Sequence, residues 1–153
     1  MRKIMFVCTG NICRSAMAEK MLAKRVKEEN LDIEVYSCGV SAQDGDWPTY
    51  TSIEVCKDYD VDLSTHRATN IFNSNIEDMD LILCATESHK DAVLDWYPDL
   101  ESKVFTMKEY VNDTENGIDI KDPWGYDSEV YRKCASEIES IIEKIVEIER
   151  NKK

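Results

Sequence analysis

Four short, mainly apolar runs, Ile4–Val7, Ile33–Tyr36, Leu81–Cys84 and Val104–Thr106, punctuate a chain whose remaining pattern is largely helical. Each has the length of a buried strand. From Ser15 to Glu29, Ala18, Met21, Leu22, Arg25 and Val26 recur every three or four positions, with charges elsewhere. That spacing predicts an amphipathic helix. Thr49–Asp58 and Ser88–Trp96 predict shorter helices. Ser128–Glu149 carries the longest stripe: Val130, Cys134, Ile138, Ile141, Ile142, Ile145, Val146 and Ile148. Strands alternating with helices predict an α/β fold, one three-layer domain over residues 1–153 with a parallel sheet flanked by helices on both faces. Glu109–Gly125 is the longest stretch without a period. Long loops in compact domains are often functional, so it is a candidate for part of a site. The C-terminal stripe is expected to be core packing in a monomer, with a dimer seam as the alternative.

A chain of 153 residues can bury a core of its own. No apolar run near the N-terminus has the length of a signal or membrane segment, and a cytoplasmic protein is expected. The six cysteines (Cys8, Cys13, Cys38, Cys56, Cys84 and Cys134) show no C-x-x-C pair. Reduced thiols fit that pattern and that compartment. The net charge of −12 argues against nucleic acid or an anionic membrane as partner. Any anion site must therefore be built locally. Val7–Met17 is a segment with no acidic residue, in a chain with 31 of them.

That segment contains "VCTGNICRSAM". In a parallel sheet, ligands bind beyond the carboxyl ends of strands, where Cys8 falls. Thr9, Gly10, Asn11, Ile12 and Cys13 can curl so that successive N–H groups converge, and a helix starting near Ser15 adds its own free N–H groups. Arg14 offers a planar fork matched to two phosphate oxygens. The same donors favour a thiolate at Cys8. Together they suit phosphoryl transfer to Cys8, with Arg14 steadying the transition state and Ser15 hydrogen-bonded to the sulfur. The plain structural alternative is a cysteine capping a strand, with Arg14 paired to a surface carboxylate. In the long loop, Asp122 precedes Pro123, Trp124 and Tyr126. Proline keeps Asp122 extended, which suits a carboxyl acting as general acid and base, with aromatic neighbours as a slot wall.

"VCTGNICRSAMAE" resembles the phosphate loop of the low-molecular-weight protein tyrosine phosphatases, and "DPWG" resembles their acid loop. The resemblance extends over the whole chain, through "SCGVSA", "DLSTHRA" and "MDLILC". It implies a four-stranded parallel sheet, no metal or cofactor, a phosphorylated protein as substrate, and Cys8, Arg14 and Asp122 as nucleophile, clamp and acid. It further implies that Asn11, Ser15, Ser37 and His66 form the polar network holding the loop. Ala16 departs from the family's usual proline, and Gly125 from a second aromatic residue. Ile12 stands where a related bacterial branch, the protein arginine phosphatases, carries threonine. An apolar side chain there suits a phenyl ring better than a guanidinium, which favours phosphotyrosine over phosphoarginine.

Other readings are weaker. Arsenate reductases share a similar loop, but the only cysteine near the third strand's end, Cys84, has no second cysteine beside it for a disulfide relay. A non-catalytic phosphopeptide module would not need Asp122. Asp78 and Asp80 precede a strand and read as surface residues, and His66 with His89 is too few for a zinc site. Cys13 has two readings, a small residue at the loop's base or a redox guard for Cys8.

Overall fold

The computed structural model describes residues 1–152. Its sheet comprises β1 (Arg2–Cys8), β2 (Ile33–Gly39), β3 (Leu81–Cys84) and β4 (Val104–Thr106), all parallel, in the order β2-β1-β3-β4. The helices are α1 (Arg14–Glu28), α2 (Tyr50–Cys56), α3 (Glu87–Trp96), the single turn α4 (Met107–Tyr110) and α5 (Ser128–Arg150). Alternation along β1 assigns the two faces. Ile4, Phe6 and Cys8 join Met17, Leu22, Ile138 and Ile142 of α1 and α5 in one core. Met5 and Val7 join Ile71, Ile76, Ile82 and Val93 in a second, under α3 and two short 3-10 turns. The expected three-layer α/β architecture is the one observed.

β1 and β2 outrun their apolar runs, whereas β3 and β4 coincide with theirs. β2 continues past Tyr36 because pairing persists as Phe6↔Ser37, Val7↔Cys38 and Cys8↔Gly39. Ser37 is tolerated there because its hydroxyl has partners in the site described below. α2 is shorter than its pattern, giving way to a 3-10 turn at Lys57–Tyr59 that ends on left-handed Asp60. The long loop begins later than its sequence suggests. Thr106 and Glu109 form a reciprocal capping box that starts α4, which carries regular structure to Tyr110.

Arg25 lies in the apolar stripe of α1 but is only half-buried, and its guanidinium reaches Glu29 and Glu143. Its stem covers apolar surface while its head stays with charge. The stripe on α5 is core: Ile138, Ile141, Ile142, Ile145 and Val146 are each at most 1% exposed. Burying each such side chain is worth about 1.5–3 kcal/mol. Among the described residues, no helix is long and apolar enough to cross a membrane.

Candidate active site

The parallel strands bring their carboxyl ends to one edge of the sheet. β1 ends there at Cys8, and six residues later α1 starts at Arg14. Four carbonyls along this turn are held from outside. Val40 donates its N–H to the Cys8 oxygen and Ser41 to that of Thr9, both at 2.9 Å. His66 Nε2 donates to the Asn11 oxygen at 2.7 Å, and the Thr49 N–H to that of Ile12 at 3.1 Å. In a trans peptide the N–H points opposite to the carbonyl. The N–H groups of Thr9, Gly10, Ile12 and Cys13 therefore face away from these partners, into the concave side of the loop. Such an arrangement can serve as an anion cradle made of backbone.

Asn11 is the keystone of that curl. It takes the left-handed conformation (φ 58°), which asparagine adopts more readily than most residues. Its Oδ1 accepts from the Thr69 N–H at 2.9 Å, and its Nδ2 donates to Ser15 Oγ at 2.8 Å and Ser37 Oγ at 2.9 Å. With the amide donating to its oxygen, the Ser15 hydroxyl directs its own proton to Cys8 Sγ, 2.8 Å away. Ser37 passes its proton to the Glu19 carboxylate. Burial holds His66 below the ordinary histidine range, although the Asn11 carbonyl and Glu19 pull the other way.

Arg14 is 4% exposed. Its Nη1 donates to the Ile120 carbonyl at 2.9 Å, while Nη2 lies 3.5 Å from both Thr9 Oγ1 and Asp122 Oδ2. The carboxylate it meets is thus the one in the second candidate loop, 108 residues away in sequence. The side chain of Asp122 is half exposed. Its Oδ1 accepts from the Trp124 N–H at 3.1 Å, and Gly125 completes the turn at φ 84°. Trp124 and Tyr126 stand well out in solvent, with Lys121 Nζ 4.4 Å from the centre of the Tyr126 ring.

Cys13 is buried beneath the loop with its sulfur 3.5 Å from both Thr49 Oγ1 and Tyr131 Oη, and burial pushes its thiol upward. That surrounding fits a residue at the loop's base. Cys84 is fully buried, and burial pushes its thiol far upward, an environment that disfavours the thiolate an exchange relay needs. Asp78 and Asp80 are exposed, Asp80 accepting from the Lys3 N–H at 2.8 Å. Among the described residues, no three His, Cys, Asp or Glu side chains cluster as a metal site.

Three features escaped the sequence. Gly39 closes β2 directly behind the loop. His89, on α3, is 5% exposed with Nε2 2.8 Å from Thr9 Oγ1. Trp47, exposed and capped by the Arg67 guanidinium 3.6 Å from its ring centre, lies two residues before Thr49 on the Ile12 side of the loop. Strand order could have found His89, because β3 neighbours β1 and His89 follows β3 by five residues.

Residues 3–153 match the family described as "Low molecular weight phosphotyrosine protein phosphatase". The chain belongs to this family. It is 34% identical over 145 residues to a protein-arginine-phosphatase of Geobacillus stearothermophilus, covering 95% of this chain and 94% of that protein. It is also 34% identical over 143 residues to the low molecular weight protein-tyrosine-phosphatase PtpB of Staphylococcus epidermidis, covering 94% and 96%. The crystal structure of a low molecular weight protein tyrosine phosphatase from T. tengcongensis matches with a TM-score of 0.89 at 38% identity, over 96% of this chain and 99% of that one. Phosphatases of this family thus share the fold across nearly the full length described.

Proposed function

We propose that this chain is a single-domain, metal-independent protein phosphatase that acts on phosphotyrosine through a cysteinyl-phosphate, as a cytoplasmic monomer. The observation that carries the reading is the meeting of Cys8, four inward N–H groups, Arg14 and Asp122 at one strand edge. The phosphoryl oxygens sit on the N–H groups of the loop and the free edge of Arg14, which supply the positive charge. The Cys8 sulfur attacks phosphorus, forming an S–P bond as the P–O bond to the phenol breaks. Asp122, protonated, gives its proton to the departing oxygen. As a carboxylate it then takes a proton from water, whose oxygen attacks phosphorus; the S–P bond breaks and phosphate leaves. The Ser15 proton steadies the sulfur as it departs.

Similarity to a protein-arginine-phosphatase supports a second substrate, phosphoarginine, on the same machinery. Ile12 weighs against it: half-buried, its exposed part is apolar surface, which suits a phenyl ring better than a guanidinium. Initial rates on phosphotyrosine and phosphoarginine peptides, with Cys8→Ser as control, test both readings. Turnover of phosphotyrosine, abolished in Cys8→Ser, is expected. Preference for phosphoarginine overturns the substrate, and turnover that survives in Cys8→Ser overturns the mechanism.

A further inference from the structure

The chemistry above leaves the buried side chain of His89, at the same strand edge, unused. His89 lies on the first turn of α3 between two hydroxyls, Nδ1 2.9 Å from Thr86 Oγ1 and Nε2 2.8 Å from Thr9 Oγ1. Thr86 is the N-cap of α3, and its oxygen already accepts the His89 main-chain N–H at 3.2 Å. Its own proton is then the one available to Nδ1, which assigns the ring proton to Nε2. His89 accordingly donates to Thr9 Oγ1. That same oxygen lies 3.5 Å from Arg14 Nη2, which in turn lies 3.5 Å from Asp122 Oδ2.

Thr9 is exposed, and a threonine free in solvent has more than one staggered position for its hydroxyl and methyl. The fixed imidazole selects the position with oxygen toward Arg14. The opposite rotamer would set a methyl against the guanidinium and leave one of its N–H groups without an acceptor. Burial, then the charge of Arg14, push His89 down to about 4, so the ring is a neutral donor here, not a second cation beside the clamp.

We infer that His89 is a positioning residue for phosphoryl transfer, locking Thr9 with its hydroxyl on Arg14 and thereby fixing the plane of the guanidinium that clamps the transferring group. The inference rests on the phosphatase reading given above. His89 itself touches no substrate, its Nε2–H being spent on Thr9. Its effect is therefore felt where Arg14 matters most, in the charge-rich transition state rather than in ground-state binding.

The test is the kinetics of an aryl phosphate with the wild type, His89→Ala, His89→Gln, Thr9→Val and the His89→Ala/Thr9→Val pair. Inorganic phosphate and vanadate serve as competing ground-state and transition-state mimics. His89→Ala is expected to lower kcat and weaken vanadate each about tenfold, with phosphate inhibition changed less than about twofold. Thr9→Val is expected to match it, the pair to be no worse than either, and His89→Gln, which keeps an N–H donor, to recover most of the loss. Should His89→Ala not fold, Thr9→Val, altered at an exposed position, decides by the same split. Equal weakening of phosphate and vanadate, additive losses in the pair, or wild-type kcat in both single variants overturns the assignment. Absence of turnover in the wild type overturns the phosphatase reading itself, whereas turnover that none of these variants alters overturns only the role of His89.

Discussion

Gly39 stands so close behind Thr9 that a β-carbon built on it would lie 2.5 Å from the Thr9 carbonyl oxygen and 2.9 Å from the Asn11 nitrogen. Both obstacles are backbone, and both belong to the loop whose N–H groups form the anion cradle. Neither can swing aside as a side chain could. The last residue of β2 thus sets how deeply the phosphate loop seats against the sheet.

Gly39→Ala is therefore expected to destabilise the fold by about 1–3 kcal/mol and to lower kcat, because the loop must lift to admit one methyl group. Urea unfolding and aryl phosphate turnover measure the two effects. An alanine variant with wild-type stability and rate would show that the loop has slack the structure does not reveal.

A second expectation concerns Asp122. Its carboxylate lies 3.5 Å from Arg14 Nη2, and its turn is tied by Trp124 N–H. Asp122→Asn keeps that acceptor oxygen but cannot supply a proton. Protonation of the leaving oxygen matters in proportion to its basicity, so the variant is expected to lose about 10²-fold or more on phosphotyrosine. On a dinitrophenyl phosphate, whose leaving group needs no proton, the loss in kcat/KM, which reports the steps up to departure of the phenol and not the later hydrolysis, is expected to be far smaller. Equal losses on both would remove Asp122 from the role of acid.

Cys8, Arg14 and Asp122 are legible in the sequence because their chemistry leaves local marks: a thiol after an apolar run, an arginine at a helix start, and an aspartate fixed by proline. Asn11, Ser15, Ser37 and His66 are reached through the family resemblance, and they do form one network around the loop. Gly39 and His89 leave no such mark. In "SCGVSA" the glycine is part of the resemblance with no role attached, and only its distance from Thr9 makes it special. His89 sits in "ESHKDAV" with no spacing that relates it to Thr9, 80 residues earlier. Their meeting depends on β3 pairing with β1, a property of topology rather than of local pattern. Trp47 leaves no mark for a related reason, being a single aromatic residue in a segment without a period.

Ile12 should tune the choice of substrate. It is half-buried, packed in part against the α1 and α5 core, and its carbonyl is pinned by the Thr49 N–H, so its backbone is fixed. Ile12→Thr replaces apolar surface by a hydroxyl without changing the cradle. The ratio of kcat/KM for phosphotyrosine over phosphoarginine peptides is expected to fall about tenfold, with vanadate affinity unchanged. If the ratio holds, discrimination lies elsewhere on the rim, with Trp47 or Trp124.

Acid should destabilise the fold through its histidines before most carboxylates titrate. An unfolded histidine takes its proton near pH 6.5, whereas folded His89 resists until about 4. Above pH 6.5 both states are neutral at this position and stability is at its full value. Between 6.5 and about 4 the unfolded chain binds more protons, so stability falls with pH, by up to about 3 kcal/mol. Below about 4 both states are charged and the loss is complete. Burial and Arg14 drive this shift, while Asp122 and Asp119 oppose it. His66 is also held low by burial and adds a loss of the same sign. Carboxylates such as Glu29, held low by hydrogen bonds from Arg150 and Arg25, add their own loss only once pH falls below their ordinary range. Urea unfolding at a series of pH values from 7 to 4 is expected to give a steeper decline for the wild type than for His89→Gln, which cannot take up the proton. Parallel curves would mean that His89 is as easily protonated in the fold as out of it, and that the neutral donor beside Arg14 does not exist.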